Sequence, residues 1–95
     1  MARTPIHPGE ILSDELTELN IAAAELARAI KVPPNRITQI IAGKRSISAD
    51  TALRLGKWLG TGPRLWLNLQ QAYELDLASH ELKDTLSKIK ARKAA

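Results

Sequence analysis

Residues 22–45, AAAELARAIKVPPNRITQIIAGKR from Ala22 to Arg45, decide the fold. Ala23, Leu26, Ala27 and Ile30 fall at i, i+3, i+4 and i+7, the apolar stripe of a short amphipathic helix. Lys31-Val32-Pro33-Pro34 breaks it, because proline lacks a backbone N–H and drives the preceding residue out of the α region. At a first helical position that missing donor matters little, so Pro34 can open a second helix with Pro33 at its cap. Ile37, Ile40 and Ile41 give that helix its buried side, and Gly43 suits a left-handed stop. Asn35, Arg36, Thr38 and Gln39 are left pointing outward, with Lys44 and Arg45 just beyond. Such side chains read DNA: arginine forks onto guanine, asparagine or glutamine onto adenine, and lysine or arginine grips phosphate.

Charge follows the same partition. Residues 1–25 hold one Arg against five acids, whereas residues 26–64 hold eight basic residues against Asp50 alone. Residues 65–84 are acidic again by three charges, and residues 85–95 are basic by four. The basic stretch thus coincides with the two-helix unit, as an electrostatic footprint on DNA requires.

Outside that unit, a first helix is expected from Pro8 to about Leu19, with Leu12, Leu16 and Leu19 inward and Asn20 as its left-handed stop. Glu10, Asp14, Glu15 and Glu18 lie on its outer side. The helix beginning near Ala22 lacks a Ser or Thr cap, a deficit of about 1 kcal/mol. Ser48 caps a fourth helix, Ala49 to about Leu59, packed by Ala52, Leu53, Leu55, Gly56 and Leu59, with Trp58 close by. Gly60 ends it, and Pro63 opens a fifth along LWLNLQQAYEL. Leu65, Trp66, Leu69, Ala72 and Tyr73 form the stripe of this fifth helix. Leu67 and Leu75 lie off the stripe, so the helix is apolar on more than one side and calls for a second burial surface. A homodimer with Trp66, Leu67 or Leu75 near its seam meets that demand. Ser79 can cap a last helix in which Leu82, Leu86 and Ile89 form a stripe too short to hold alone in water.

Ninety-five residues make one small domain with a modest core. No cysteine is present, so neither disulfides nor thiolate metal sites are available. The opening MARTPIHPGEIL lacks the apolar run of a signal peptide and no stretch is long enough to span a bilayer, so a cytoplasmic protein without membrane contact is expected. His7 and His80 stand apart without ligand spacing, and the metalloprotease, nucleophile-elbow and phosphate-loop motifs are absent. Neither enzymatic activity nor a cofactor or metal is expected.

The two-helix unit resembles the helix-turn-helix of the lambda-repressor-like (Xre) class, with Ala27 as the small packing residue, Val32 in the turn and Ile37 and Ile40 as anchors. Two positions depart from the pattern: Lys31 stands where glycine is common, and Ala24 where a phosphate-binding glutamine is common. The resemblance sharpens to the HigA-type (VapI-like) addiction-module antitoxins through four segments. These are His7-Pro8-Gly9-Glu10-Ile11-Leu12, Gly43-Lys44-Arg45, Ala49-Asp50-Thr51-Ala52-Leu53-Arg54-Leu55 and Trp66-Leu67-Asn68-Leu69-Gln70. It covers residues 5–78, with Gly62 where a capping serine is common. It implies an all-α fold: a five-helix lambda-repressor-like domain over residues 1–78, followed by a C-terminal helix and basic tail over 79–95. It also implies a homodimeric autorepressor that binds double-stranded operator DNA and silences a HigB-type, RelE-like toxin that cleaves mRNA. Asn35, Arg36, Thr38 and Gln39 would read bases, with Lys44 and Arg45 on the backbone. The acids Asp14, Glu15 and Glu18 are the candidate toxin surface, since an RNA-cutting partner should be basic. A phage-type repressor without a toxin, or an interaction module that never touches DNA, are the alternatives.

Overall fold

The computed structural model describes residues 4–93; the extreme ends of the expected lead-in and basic tail, residues 1–3 and 94–95, lie outside the described residues. The described chain is all helical: α1 (Pro8–Leu19), α2 (Ala23–Ala29), α3 (Pro34–Ile41), α4 (Ala49–Leu59), α5 (Pro63–Glu81) and α6 (Lys83–Ser87). Leu12 and Leu16 of α1, Leu26 and Ala27 of α2, Ile37 and Ile40 of α3, Ala52 and Leu55 of α4 and Trp66 of α5 meet in one core, closed by Ile30 and Ile47.

Two helices end in the same way. Asn20 is left-handed, its N–H donating to the Thr17 carbonyl at 3.1 Å, and the N–H of Ile21 reaches back to Leu16 at 2.9 Å. Lys31 (φ 63°) and Val32 repeat this at the end of α2, on the Arg28 and Ala27 carbonyls. These are Schellman closures, in which an apolar residue just past the stop packs back on the helix. They explain one correction. Leu19 is 46% exposed rather than inward, because Ile21 folds back over Leu16 and takes its place against the core.

Glycine sets two close approaches. A Cβ on Gly9 would lie 1.9 Å from the Ile40 carbonyl oxygen, so the start of α1 rests directly on the backbone of α3. A Cβ on Gly56 would lie 2.2 Å from the Gly62 carbonyl carbon, which brings the α4–α5 corner together. Gly62 has φ 80° and ψ 166°, a conformation essentially confined to glycine.

Other expectations need correcting. Leu53 is 61% exposed, about a quarter-turn off the face that Ala52, Leu55 and Gly56 bury. Ser79 does not cap a new helix, because nothing between Leu75 and Glu81 breaks α5. The division expected at residue 78 therefore falls inside a continuous helix. Leu82 alone interrupts the helical run, and its N–H still bonds the Ala78 carbonyl at 2.8 Å. The end of α5 and α6 extend beyond the core as an arm. The radius of gyration is 16.5 Å, against about 12–13 Å for a compact chain of this length.

Candidate nucleic-acid interface

Pro34 starts α3 as the first helical residue, and Gly43 (φ 77°) turns the chain after it. With Ile37 and Ile40 fully buried, helical geometry leaves Asn35 and Thr38 exposed and Gln39 half-buried on the outer side. Lys44 and Arg45 are exposed in the following loop, where the Lys44 N–H holds the Gln39 carbonyl at 2.8 Å. Four of the six expected DNA-reading residues, Asn35, Gln39, Lys44 and Arg45, thus keep free side-chain ends among the described residues, while the Thr38 hydroxyl donates to the Asn35 carbonyl at 3.4 Å. Arg36 differs: its Nη1 donates to Asp50 Oδ1 at 2.8 Å.

That contact belongs to a chain of bonds. Asp50 Oδ1 also accepts from Arg54 Nε at 2.7 Å, and Arg54 Nη1 donates to the carbonyls of Ile30 at 2.8 Å and Lys31 at 3.2 Å. A cation thereby satisfies the carbonyls at the end of α2, where the helix dipole favours positive charge. It also supports the one left-handed residue of the turn that is not glycine. The hydrogen bond from Arg54, with its charge and the Arg36 guanidinium behind it, holds the Asp50 carboxyl below its ordinary range, against a smaller opposing effect of desolvation.

Two further anchors fix the reading unit from behind. His7 caps α1: its Nδ1 accepts from the Gly9 N–H at 2.9 Å, and the Glu10 carboxylate accepts from the His7 N–H at 3.3 Å. An accepting Nδ1 assigns the ring proton to Nε2. The ring lies edge-on to Tyr73 at 4.8 Å and beside Gly43, so the HPGE segment joins α5 to the end of α3. Burial pushes the His7 pKa below its ordinary 6.5, opposed by Glu10. From the other side, Gln70 Oε1 accepts from the Ile47 N–H at 2.8 Å while its Nε2 donates to Glu74 at 2.7 Å. This fixes the far end of the loop that carries Lys44 and Arg45. Sequence reasoning missed the roles of Gln70, Asp50 and Arg54. A signal existed for Gln70, which stands one helical turn after Trp66 on the buried side.

The expected dimer residues separate. Trp66 is 1% exposed, with its indole Nε1 donating to Thr61 Oγ1 at 3.0 Å, so it is a core residue and cannot lie at a seam. Leu67 is half-buried against the core, whereas Leu75 is 67% exposed. Of the candidate toxin-facing acids, Asp14 and Glu18 are exposed and Glu15 is half-buried; among the described residues none forms a salt bridge.

Residues 12–67 match the helix-turn-helix family. Virulence-associated protein I of Dichelobacter nodosus is 47% identical over 77 residues, spanning 80% of this chain and 71% of that protein. Among solved structures, a HigA-family addiction-module antidote protein from Coxiella burnetii superposes with a TM-score of 0.91 at 47% identity, covering 96% of this chain and 100% of the other. Antitoxin HigA of Pseudomonas aeruginosa, solved with the higBA promoter, gives 0.88 at 43% identity, covering 94% of this chain and 99% of the other.

Proposed function

The chain belongs to the HigA family of helix-turn-helix antitoxins, and from that premise we propose that it is a dimeric operator-binding autorepressor that also neutralises a RelE-like, mRNA-cleaving toxin in the cytoplasm. The observation that carries this reading is the coincidence of the basic stretch with an outward α3 face that presents the side chains of Asn35, Thr38 and Gln39. Related proteins solved on promoter DNA support it. Each α3 would enter a major groove, with Asn35 and Gln39 suited to adenine and Arg36 to guanine, while Lys44 and Arg45 meet phosphates. Two such helices about 34 Å apart would read half-sites one DNA turn apart. Leu75 on the exposed arm is the favoured centre of the pairing that sets this spacing. The reading assigns binding to the chain and no catalytic step.

For the toxin, the outer side of α1 offers negative charge to a basic partner. Asp14, Glu15 and Glu18 are reversed to lysine together, and association with the product of the adjoining toxin frame is measured beside circular dichroism. Slower association that has lost its salt dependence, in a folded triple variant, supports the assignment. Unchanged association moves the toxin surface elsewhere, and a wild-type chain that binds promoter DNA but no neighbouring product is a lone repressor.

A further inference from the structure

Asp50 is the one acid between residues 26 and 64, and it stands beside the face that would meet phosphate. Its side chain is 58% exposed, and ion pairs at such exposure add little to stability. Stability is therefore a weak reason for a negative charge in that place. Geometry offers a stronger one. Asp50 Oδ1 receives Arg36 from α3 and Arg54 from its own helix, and Arg54 in turn holds the Ile30 and Lys31 carbonyls of the turn. One oxygen thus joins the reading helix, the turn before it and α4. Arg36 uses one N–H of its five donors in this contact, so most of the guanidinium fork stays available.

We propose that Asp50, itself held by Arg54, is a positioning residue for DNA reading: it fixes the Arg36 guanidinium in one orientation. Sequence preference is gained at the expense of general attraction to DNA. A flexible arginine finds phosphate anywhere, whereas a tethered one presents its fork in a single direction.

This inference rests on the operator reading above, and its test separates the two. Affinity of the full chain is measured for its own promoter duplex and for a scrambled duplex of equal length, at several salt concentrations, for wild type, Asp50→Asn, Arg36→Ala and the double variant. Asp50→Asn should bind the scrambled duplex more tightly while its preference for the promoter falls by about tenfold, the order of one lost forked base contact. In the Arg36→Ala background the same change should leave the preference unaltered. A structural defect would instead weaken both duplexes together. Parallel shifts on both duplexes, or an undiminished preference, overturn the positioning role. If Asp50→Asn fails to fold, Asp50→Glu replaces it, and recovery of wild-type preference by this longer carboxylate is the result expected; a preference as low as that of Arg36→Ala would count against the role. A wild-type chain that does not prefer its promoter refutes the operator reading itself, and this proposal with it.

Discussion

The packed body, from α1 to the first half of α5, and the arm that follows it are built from similar amino acids yet end in opposite states. In the body, Leu12, Leu26, Ile37, Ile40, Leu55 and Trp66 are fully or almost fully buried. In the arm, Leu75, Leu77, Leu82, Leu86 and Ile89 are between 37% and 67% exposed. The body has five helical segments to converge on a centre, and its backbone approaches are set by Gly9 and Gly56. The arm has one helical run, and among the described residues nothing is packed opposite it. An apolar stripe in a sequence therefore signals that burial is wanted, without saying who supplies it.

The comparison is broken most forcefully by truncating one side chain in each region. Trp66→Ala should destabilise the fold by about 3–5 kcal/mol, since it removes the largest core side chain and leaves a cavity. Leu82→Ala, measured at a dilution where the chain is monomeric, should change stability by no more than about 0.5 kcal/mol. Urea unfolding of the two variants checks both values. Equal losses would mean that the arm packs on its own body.

Next in size is the association that the arm would provide. Leu75→Lys removes an apolar contact of about 1.5–3 kcal/mol if a partner covers it, and leaves the body untouched. At micromolar concentration, sedimentation should give twice the 10.4 kDa chain mass for wild type and a large monomer fraction for the variant. A wild-type monomer would remove the argument for paired half-sites.

The smallest effect sharpens the body's own description and concerns pH. The buried His7 ring is neutral in the folded state, with its pKa below the ordinary 6.5. As pH falls below about 6.5 the unfolded chain takes up a proton first, so stability declines until the folded ring is also protonated. Protonation would also turn Nδ1 from acceptor to donor and remove the cap on the Gly9 N–H. His7→Asn keeps a capping acceptor that does not titrate, so its melting temperature should fall less between pH 7 and 5 than that of wild type. Parallel curves would exclude His7 as the source.

Much of the body was legible in the sequence because its devices are local. The Pro33-Pro34 helix start, the stops at Asn20, Gly43 and Gly60 and the missing cap at Ala22 each follow from one or two residues and their backbone preferences. What was not legible depends on partners distant in the chain. Gln70 serves Ile47, Arg54 serves Ile30, and Asp50 holds Arg36, all across gaps no helical period reports. A stripe gives direction around a helix but not depth, so it does not separate the fully buried Trp66 from residues near a seam. Ser79 failed as a cap because a capping residue acts only where the chain already leaves the helix.

The central claim, that the outer face of α3 reads operator DNA, is tested most directly by titrating wild type and Gln39→Ala against the promoter and scrambled duplexes from low to moderate salt. The wild-type chain should prefer the promoter, with affinity falling steeply as salt rises. Gln39→Ala should lose about 1–3 kcal/mol on the promoter, relax preference at one or two base pairs, and keep the same salt slope. If Gln39→Ala retained the full sequence preference of wild type, α3 would not lie in the groove and the account would be wrong.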